Sequence, residues 1–132
     1  MTKAKYYPIP GNTKLPFSAA VQVGETLYVS GQMGVEMADG AARLVGGGMD
    51  AEARKAIENM RDVLERHGSS LDRVVKVTVM LADIRQWPAF NKIYVEYFKD
   101  PLPARSAFGA SGLALGGAVE LECIATTGEG RG

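Results

Sequence analysis

Four charged side chains lie in segments whose other residues have the pattern of buried strands. Lys76 interrupts an apolar run, and Arg105 begins a short extended run. Glu120 and Glu122 alternate with apolar residues near the end of the chain. A charged group that leaves water needs a partner of opposite sign or a ligand. These residues therefore either pair with one another in a structural network or contact a bound ligand, and the pattern leaves both open.

The residue types that most often act as nucleophiles or metal ligands are nearly absent. The chain has one cysteine, Cys123, and one histidine, His67. A zinc site needs about three or four such ligands, so we assign no metal. His67 precedes Gly68 at the end of a predicted helix, where an imidazole stabilises the helix terminus. A lone cysteine and an N-terminus without an apolar signal core predict a reducing, cytoplasmic location.

Charge balance argues against polyanionic partners. Fifteen Lys and Arg residues balance fifteen Asp and Glu residues, so no broad positive field is available to bind nucleic acid or an anionic membrane. The most apolar stretch, residues 74–81, is far shorter than the roughly 20 residues that cross a bilayer. The length and the 46% apolar content suit one domain over residues 1–132.

Two amphipathic helices are predicted from apolar residues at helical spacing. The first has Asp50 as its N-cap and ends before Gly68. Its apolar side is formed by Met49, Ala53, Ala56, Ile57, Met60, Val63 and Leu64. The second lies within residues 83–98 and begins around Pro88, because proline is tolerated only near the first turn of a helix. Its aromatic side is formed by Trp87, Phe90, Tyr94, Tyr97 and Phe98.

Alternating or β-branched segments predict strands on both sides of these helices. They cover residues 17–23, 27–32, 74–81, 105–109 and 119–125. The first two form a hairpin around Gly24, and residues 33–48 form a loop with one short strand at 42–45. The order ββαβαββ predicts an α+β fold, a two-layer sandwich in which a mixed β-sheet carries both helices on one face.

The sheet face that points away from the helices is neither cleanly polar nor cleanly apolar. Alternation directs four side chains of the middle strand toward the helices: Val75, Val77, Val79 and Leu81. Val74, Met80 and Ile124 then lie on the other face, beside Lys76 and Glu122. An apolar patch on a small protein usually marks an interaction surface. We therefore expect subunit association to cover this face.

Five segments, in the right order, resemble the YjgF/RidA family. They are residues 17–32, 71–79, 90–98, 103–106 and 119–125. They include the sequences Pro-Ala-Arg-Ser and Val-Glu-Leu-Glu, and together they extend over nearly the whole chain. The resemblance implies a chorismate-mutase-like fold and a homotrimer with a central barrel, in which the ligand clefts lie between subunits.

The resemblance also implies an activity. Enzymes of this family hydrolyse reactive 2-imino acids, such as 2-iminobutanoate and 2-iminopropanoate, and their enamine tautomers. The products are a 2-oxo acid and ammonia. Neither a metal nor an organic cofactor takes part, so we expect no cofactor and a small 2-imino or 2-oxo acid as ligand.

Two roles in the chemistry come from the resemblance. Arg105 matches the arginine that binds the substrate carboxylate, for which its planar fork is suited. Glu120 matches the acidic residue that holds the attacking water. Many members carry cysteine two residues after the arginine, where this chain has Ala107. The backbone N–H of Ala107 can still meet a carboxylate.

Four further residues match positions around the family's cleft. Ser30 and Gly31 match a segment whose backbone lines it, and Phe17 matches an aromatic residue that closes its apolar side. Asn91 matches an asparagine on the second helix. From the pattern alone, Gly31 could instead be a bulge glycine, Phe17 a core residue of the first strand, and Asn91 only a hydrogen-bonding residue on the helix face.

Two other functions are compatible with the same resemblance. A cleft with Arg105 would bind 2-oxo acids whether or not water is activated, which is the behaviour of a non-catalytic regulatory trimer. Some relatives are labelled endoribonucleases or translation inhibitors. The balanced charge and the absence of a basic run with interleaved aromatic residues argue against an RNA substrate.

Overall fold

The computed structural model describes residues 3–11 and 14–128. Within these ranges the chain forms eight strands and two α-helices, joined by short 3-10 turns. In chain order they are β1 (Ala4–Tyr7), β2 (Ala20–Val23), β3 (Thr26–Met33), β4 (Val35–Ala38), β5 (Ala41–Leu44), α1 (Gly48–Arg66), β6 (Val74–Leu81), α2 (Trp87–Tyr97), β7 (Ala104–Gly109) and β8 (Val119–Thr126).

Six of the strands form one mixed sheet, in the order β1-β2-β3-β8-β6-β7. Only the β6–β7 pair is parallel, and it encloses α2 as a crossover. Both helices pack on one face, where the core joins Ile57 and Leu64 of α1 and Phe90 of α2 to Val77 and Leu121 of the sheet. The predicted two-layer α+β sandwich is confirmed.

Helix α1 buries the predicted apolar stripe but begins three residues earlier than predicted. Its N-cap is Gly47, with φ 90°, and Asp50 lies in the first turn without capping, so the predicted N-cap is wrong. Gly46, Gly47 and Gly48 all have positive φ, a conformation that glycine adopts without strain, and they turn the chain directly into the helix. Among the described residues, no helix is long and apolar enough to cross a membrane.

Three strands lie where the sequence predicted none or only one. β1 pairs with β2 at the sheet edge, and β4 pairs with β5 in a separate hairpin whose turn residues, Asp39 and Gly40, have positive φ. The strand predicted at residues 42–45 corresponds to β5, but the loop predicted before it is wrong at residues 35–38, which form β4. Most side chains of these strands are exposed, so no alternation between buried and polar residues marks them in the sequence.

The predicted side assignment at the start of β6 is also wrong. Val74 is buried against the helices, whereas Val75 is 48% exposed. The register with β8 shifts between Val74 and Lys76, which is the signature of a β-bulge. The extra residue resets the alternation, so Val77, Val79 and Leu81 point into the core as predicted.

Helix α1 also fixes the end of β3. The Asn59 amide donates to the carbonyls of Met33 and Val35, each at 2.9 Å. Gly34 lies between these two residues, and a Cβ atom there would overlap the backbone of Glu52. The missing side chain is therefore what allows the strand to lie directly on the helix.

This close approach predicts the cost of a methyl group. Gly34→Ala should lower the free energy of unfolding by about 1–3 kcal/mol, the usual range for overpacking against a fixed backbone. Gly112→Ala is the matched control, because its Cβ would meet no atom within 4 Å. Urea unfolding measures both variants, and equal stability of the two would contradict this account.

Candidate active site

Arg105 lies on β7, one of the two edge strands of the sheet as described, and its side chain points toward α2. Its Nη2 donates to Asn91 Oδ1 at 2.7 Å. Its Cζ lies 4.7 Å from the ring centroid of Tyr94 and 5.8 Å from those of Trp87 and Phe90. The structure thus brings Arg105 and Asn91 together, as the family pattern implies.

Among the described residues, no acidic side chain forms an ion pair with Arg105. Within residues 3–11 and 14–128, no ion pair joins it to Glu120 or Glu122, and none joins either glutamate to Lys76. A structural network among these four charges, one of the two interpretations of the sequence, is therefore wrong for the chain itself. Arg105 is half-buried, and its donors beyond the Asn91 bond are available to an incoming anion.

The backbone beside Arg105 adds a second kind of donor. Ala110 N–H donates to Leu81 O across the β6–β7 ladder at 2.8 Å. Because successive residues of a strand direct their backbone groups to opposite sides, the N–H of Ala107 points to the open edge of β7. A carboxylate at this edge can therefore meet both a guanidinium and a backbone N–H.

Glu120 lies directly over a glycine. A Cβ atom on Gly31 would overlap Glu120 Oε2. Gly31 falls within the register shift of β3, between Val29 and Gln32, where the strand bulges against β8. Burial raises the pKa of the Glu120 carboxyl, and the neighbouring charge of Glu122 raises it further. The glutamate is therefore a stronger base than a solvated carboxylate.

Ser30 ties the same bulge to the segment before β2. Its Oγ donates to Ser18 O at 2.6 Å, and its N–H donates to Ala19 O at 3.1 Å. Its carbonyl accepts from Gln32 Nε2 at 3.1 Å. These bonds hold the chain next to Phe17, which precedes β2 and is 53% exposed. Phe17 is therefore not a core residue of the first strand.

The candidate residues form two groups on opposite faces of the sheet. Arg105 is in register with Val77, which faces the helices, whereas Glu120 alternates with core residues and faces away from them. Val77 in turn pairs with Cys123, three residues from Glu120. Two strand spacings and three residues put the Cα atoms of Arg105 and Glu120 about 14 Å apart.

We call these groups the arginine half-site and the glutamate half-site. The arginine half-site consists of Asn91, Arg105 and Ala107. The glutamate half-site consists of Phe17, Ser30, Gly31 and Glu120. The sheet between them prevents one small ligand from contacting both halves within a single chain.

The remaining chemistry-bearing residues lie outside both half-sites. His67 caps α1 and stacks on Tyr7 with ring centroids 4.0 Å apart, and burial lowers its pKa. Cys123 is buried, which raises the pKa of its thiol to about 12. In the described part of the chain, no three His, Cys, Asp or Glu side chains cluster as metal ligands would. Neither residue is therefore arranged as a nucleophile.

Comparison with known proteins identifies the family. A family model described as endoribonuclease L-PSP matches residues 11–127. The chain belongs to the YjgF/RidA family. The 2-iminobutanoate/2-iminopropanoate deaminase of the goat Capra hircus is 44% identical over 113 residues, which make up 86% of this chain and 81% of that relative.

Solved structures of YjgF/RidA proteins have the same fold. A Rid-family protein of unknown function from Yersinia pestis has a TM-score of 0.85 at 31% identity, and the match covers 95% of this chain and all of that one. RidA from an Antarctic Psychrobacter species has a TM-score of 0.79 at 35% identity, with 92% of this chain and 94% of the other covered.

Sequence reasoning missed the surroundings of Arg105. The aromatic residues of α2 were interpreted only as a core-facing stripe, yet three of them lie around the guanidinium. A signal was available, because Trp87, Phe90, Asn91 and Tyr94 recur at helical spacing with the predicted ligand-binding asparagine among them.

The pKa of Glu120 is raised by burial and by the charge of Glu122, and removing that charge tests the second cause. Glu122→Gln eliminates the neighbouring negative charge, so the pKa of Glu120 should fall but stay above its usual value because burial remains. Carboxyl NMR titration measures this directly. Glu65→Gln, an exposed change on α1, is the control and should leave the Glu120 titration unchanged. An unshifted or rising pKa in Glu122→Gln would contradict the electrostatic account.

Proposed function

We propose that this protein is a cofactor-independent deaminase that hydrolyses small 2-imino acids and their enamine tautomers to 2-oxo acids and ammonia. The observation that carries the proposal is the pair of half-sites, an unneutralised arginine beside a free backbone N–H and a glutamate with a raised pKa over a glycine. The curated relatives named 2-iminobutanoate/2-iminopropanoate deaminase support the same substrate class.

The arginine half-site binds the substrate carboxylate. Arg105 donates two parallel hydrogen bonds to it, and the N–H of Ala107 donates a third. Asn91 keeps the guanidinium in place. A substrate of only a few carbons gains little from apolar contact, so its carboxylate must determine its orientation.

The glutamate half-site activates the water. Glu120 accepts a proton from the water as the oxygen adds to the protonated imine carbon, which gives a carbinolamine. Glu120 or solvent then protonates the nitrogen. The C–N bond breaks, ammonia leaves, and loss of the hydroxyl proton completes the carbonyl of the 2-oxo acid. Because an iminium carbon is already electrophilic, placing the water and the charges is the main catalytic requirement.

A complete site requires a second copy of the chain. We propose a homotrimer in which the arginine half-site of one subunit faces the glutamate half-site of its neighbour. The exposed apolar residues support association, because Tyr28 lies on the open face and Phe108 lies beside the row of Met80 and Glu120. Val75, which is exposed at the bulge, contributes to this apolar surface, whereas Val74, which was predicted to do so, is buried.

Two parts of the functional interpretation rest on sequence. The cytoplasmic location stays a prediction from the lone cysteine. The balanced charge still argues against an RNA substrate. A purely regulatory trimer would need only the arginine half-site, and the variants below separate that function from catalysis.

The two half-sites predict different defects on substitution. Arg105→Ala should lose at least roughly 10²-fold in kcat/KM, and Arg105→Lys should recover only part of it, because a point charge cannot fix the carboxylate plane. Glu120→Gln should keep 2-oxo acid binding while turnover falls by roughly 10²–10⁴-fold.

Steady-state kinetics on 2-iminopropanoate generated in situ measure these effects. Arg85→Ala is the control, because Arg85 is an exposed arginine that pairs with Asp83, two residues away. Parent protein that binds 2-oxo acids without hydrolysing the imine would indicate the regulatory trimer instead. Arg105→Ala activity within a few-fold of the parent would refute the assignment of the carboxylate site.

The division between subunits predicts complementation. Co-expressed Arg105→Ala and Glu120→Gln chains should regain activity, because one in four interfaces then combines an intact arginine half-site with an intact glutamate half-site. About a quarter of the parent rate is expected from random trimers. Each variant alone should keep only its low residual activity. If mixed assemblies, verified by mass, show no recovery, the two residues act within one chain.

A further inference from the structure

One face of α2 is directed at a single guanidinium. Trp87, Phe90, Asn91 and Tyr94 are spaced so that all four lie on the same side of the helix. The asparagine binds Arg105 through one hydrogen bond, and the three rings lie within 6 Å of its Cζ, the usual limit for a cation–π contact. Tyr94 is the nearest of the rings, at 4.7 Å.

The hydrogen bond alone cannot orient the guanidinium. A single bond from Nη2 fixes one nitrogen but leaves the planar group free to rotate about it. A ring face below the guanidinium restricts that rotation, because the planar cation stacks on the aromatic surface. The orientation of this plane decides whether two N–H groups can reach both oxygens of a carboxylate.

The hydroxyl of Tyr94 does not account for its position. Tyr94 is 5% exposed, and its hydroxyl is buried without a hydrogen-bond partner in the described part of the chain. Burial raises its pKa to about 12, so the group stays neutral and transfers no proton near neutral pH. The ring is therefore the part of this side chain that acts on Arg105.

We propose that the ring of Tyr94, flanked by Trp87 and Phe90, is a positioning element that fixes the guanidinium plane of Arg105 for bidentate binding of the substrate carboxylate. This role rests on the proposed deaminase function, because it acts through Arg105 and not on the substrate. It differs from a core role in one respect. Removing a buried ring lowers stability in either case, but a positioning role predicts an additional loss of kcat/KM that occurs only while Arg105 is present.

The test compares substitutions that keep or remove the ring. Tyr94→Leu should lower kcat/KM for 2-iminopropanoate by about tenfold, as expected for loss of a largely desolvated cation–π contact. Tyr94→Phe retains the ring and should stay within about twofold of the parent. Tyr97→Leu is the matched control, because Tyr97 is on the same helix and binds Glu58 without contacting Arg105.

A double-mutant cycle separates positioning from packing. In an Arg105→Ala background, Tyr94→Leu should cost less than about twofold in residual activity, whereas a packing defect would cost the same in both backgrounds. Equal losses in the two backgrounds overturn the proposal. So does a Tyr94→Phe variant as impaired as Tyr94→Leu, or a Tyr97→Leu variant with the same coupling to Arg105.

Proton NMR of the Arg105 side chain provides a readout that does not depend on catalysis. Its guanidinium protons should be shifted upfield by the ring in the parent and in Tyr94→Phe, and the shift should be lost in Tyr94→Leu. If Tyr94→Leu does not fold, Tyr94→Met removes the ring with less loss of volume. If the parent protein shows the upfield shift but no deaminase activity, the proposed function is refuted and the contact between the ring and Arg105 stands. If the parent is active but shows no shift, only the positioning role is overturned.

Discussion

Alternation of side chains across a β-sheet is the constraint on which the function of this protein depends. Residues of β7 and β8 that differ in register by an odd number must emerge on opposite faces, and Arg105 and Glu120 do. No change of rotamer can bring them to one ligand. A fold of this size, with one layer of helices, leaves the other face open, and the proposed chemistry requires a second subunit there.

Close backbone approach organises the glutamate half-site, whereas aromatic packing organises the arginine half-site. Gly34 lets β3 lie on α1, and Gly31 gives the Glu120 carboxylate its place over the bulge. Around Arg105, large aromatic side chains on α2 hold the functional group in position. A carboxylate that must act as a base benefits from burial, and a cation that must bind a planar anion benefits from a fixed plane.

The sequence was sufficient for the elements whose side chains alternate between core and solvent. The stripe of α1, the strand β8 and the mixed two-layer fold follow from periodicity because burial imposes it. The exposed strands β1, β4 and β5 carry no such pattern, and the bulge at Val74 resets it. The site residues were found through family resemblance. Periodicity within single strands could not show that Arg105 and Glu120 lie on opposite faces of the sheet, because that depends on the register between strands.

The position of sulfur in this fold has a consequence for oxidative stress. Peroxides attack the thiolate form of cysteine, and they need access to it. Cys123 is buried in the core between the sheet and the helices, and this burial raises the pKa of its thiol to about 12, so little of it ionises in neutral solution. Ala107 stands in the arginine half-site where many family members carry a cysteine. Cysteine oxidation therefore has no target among the residues that form the two half-sites of this protein.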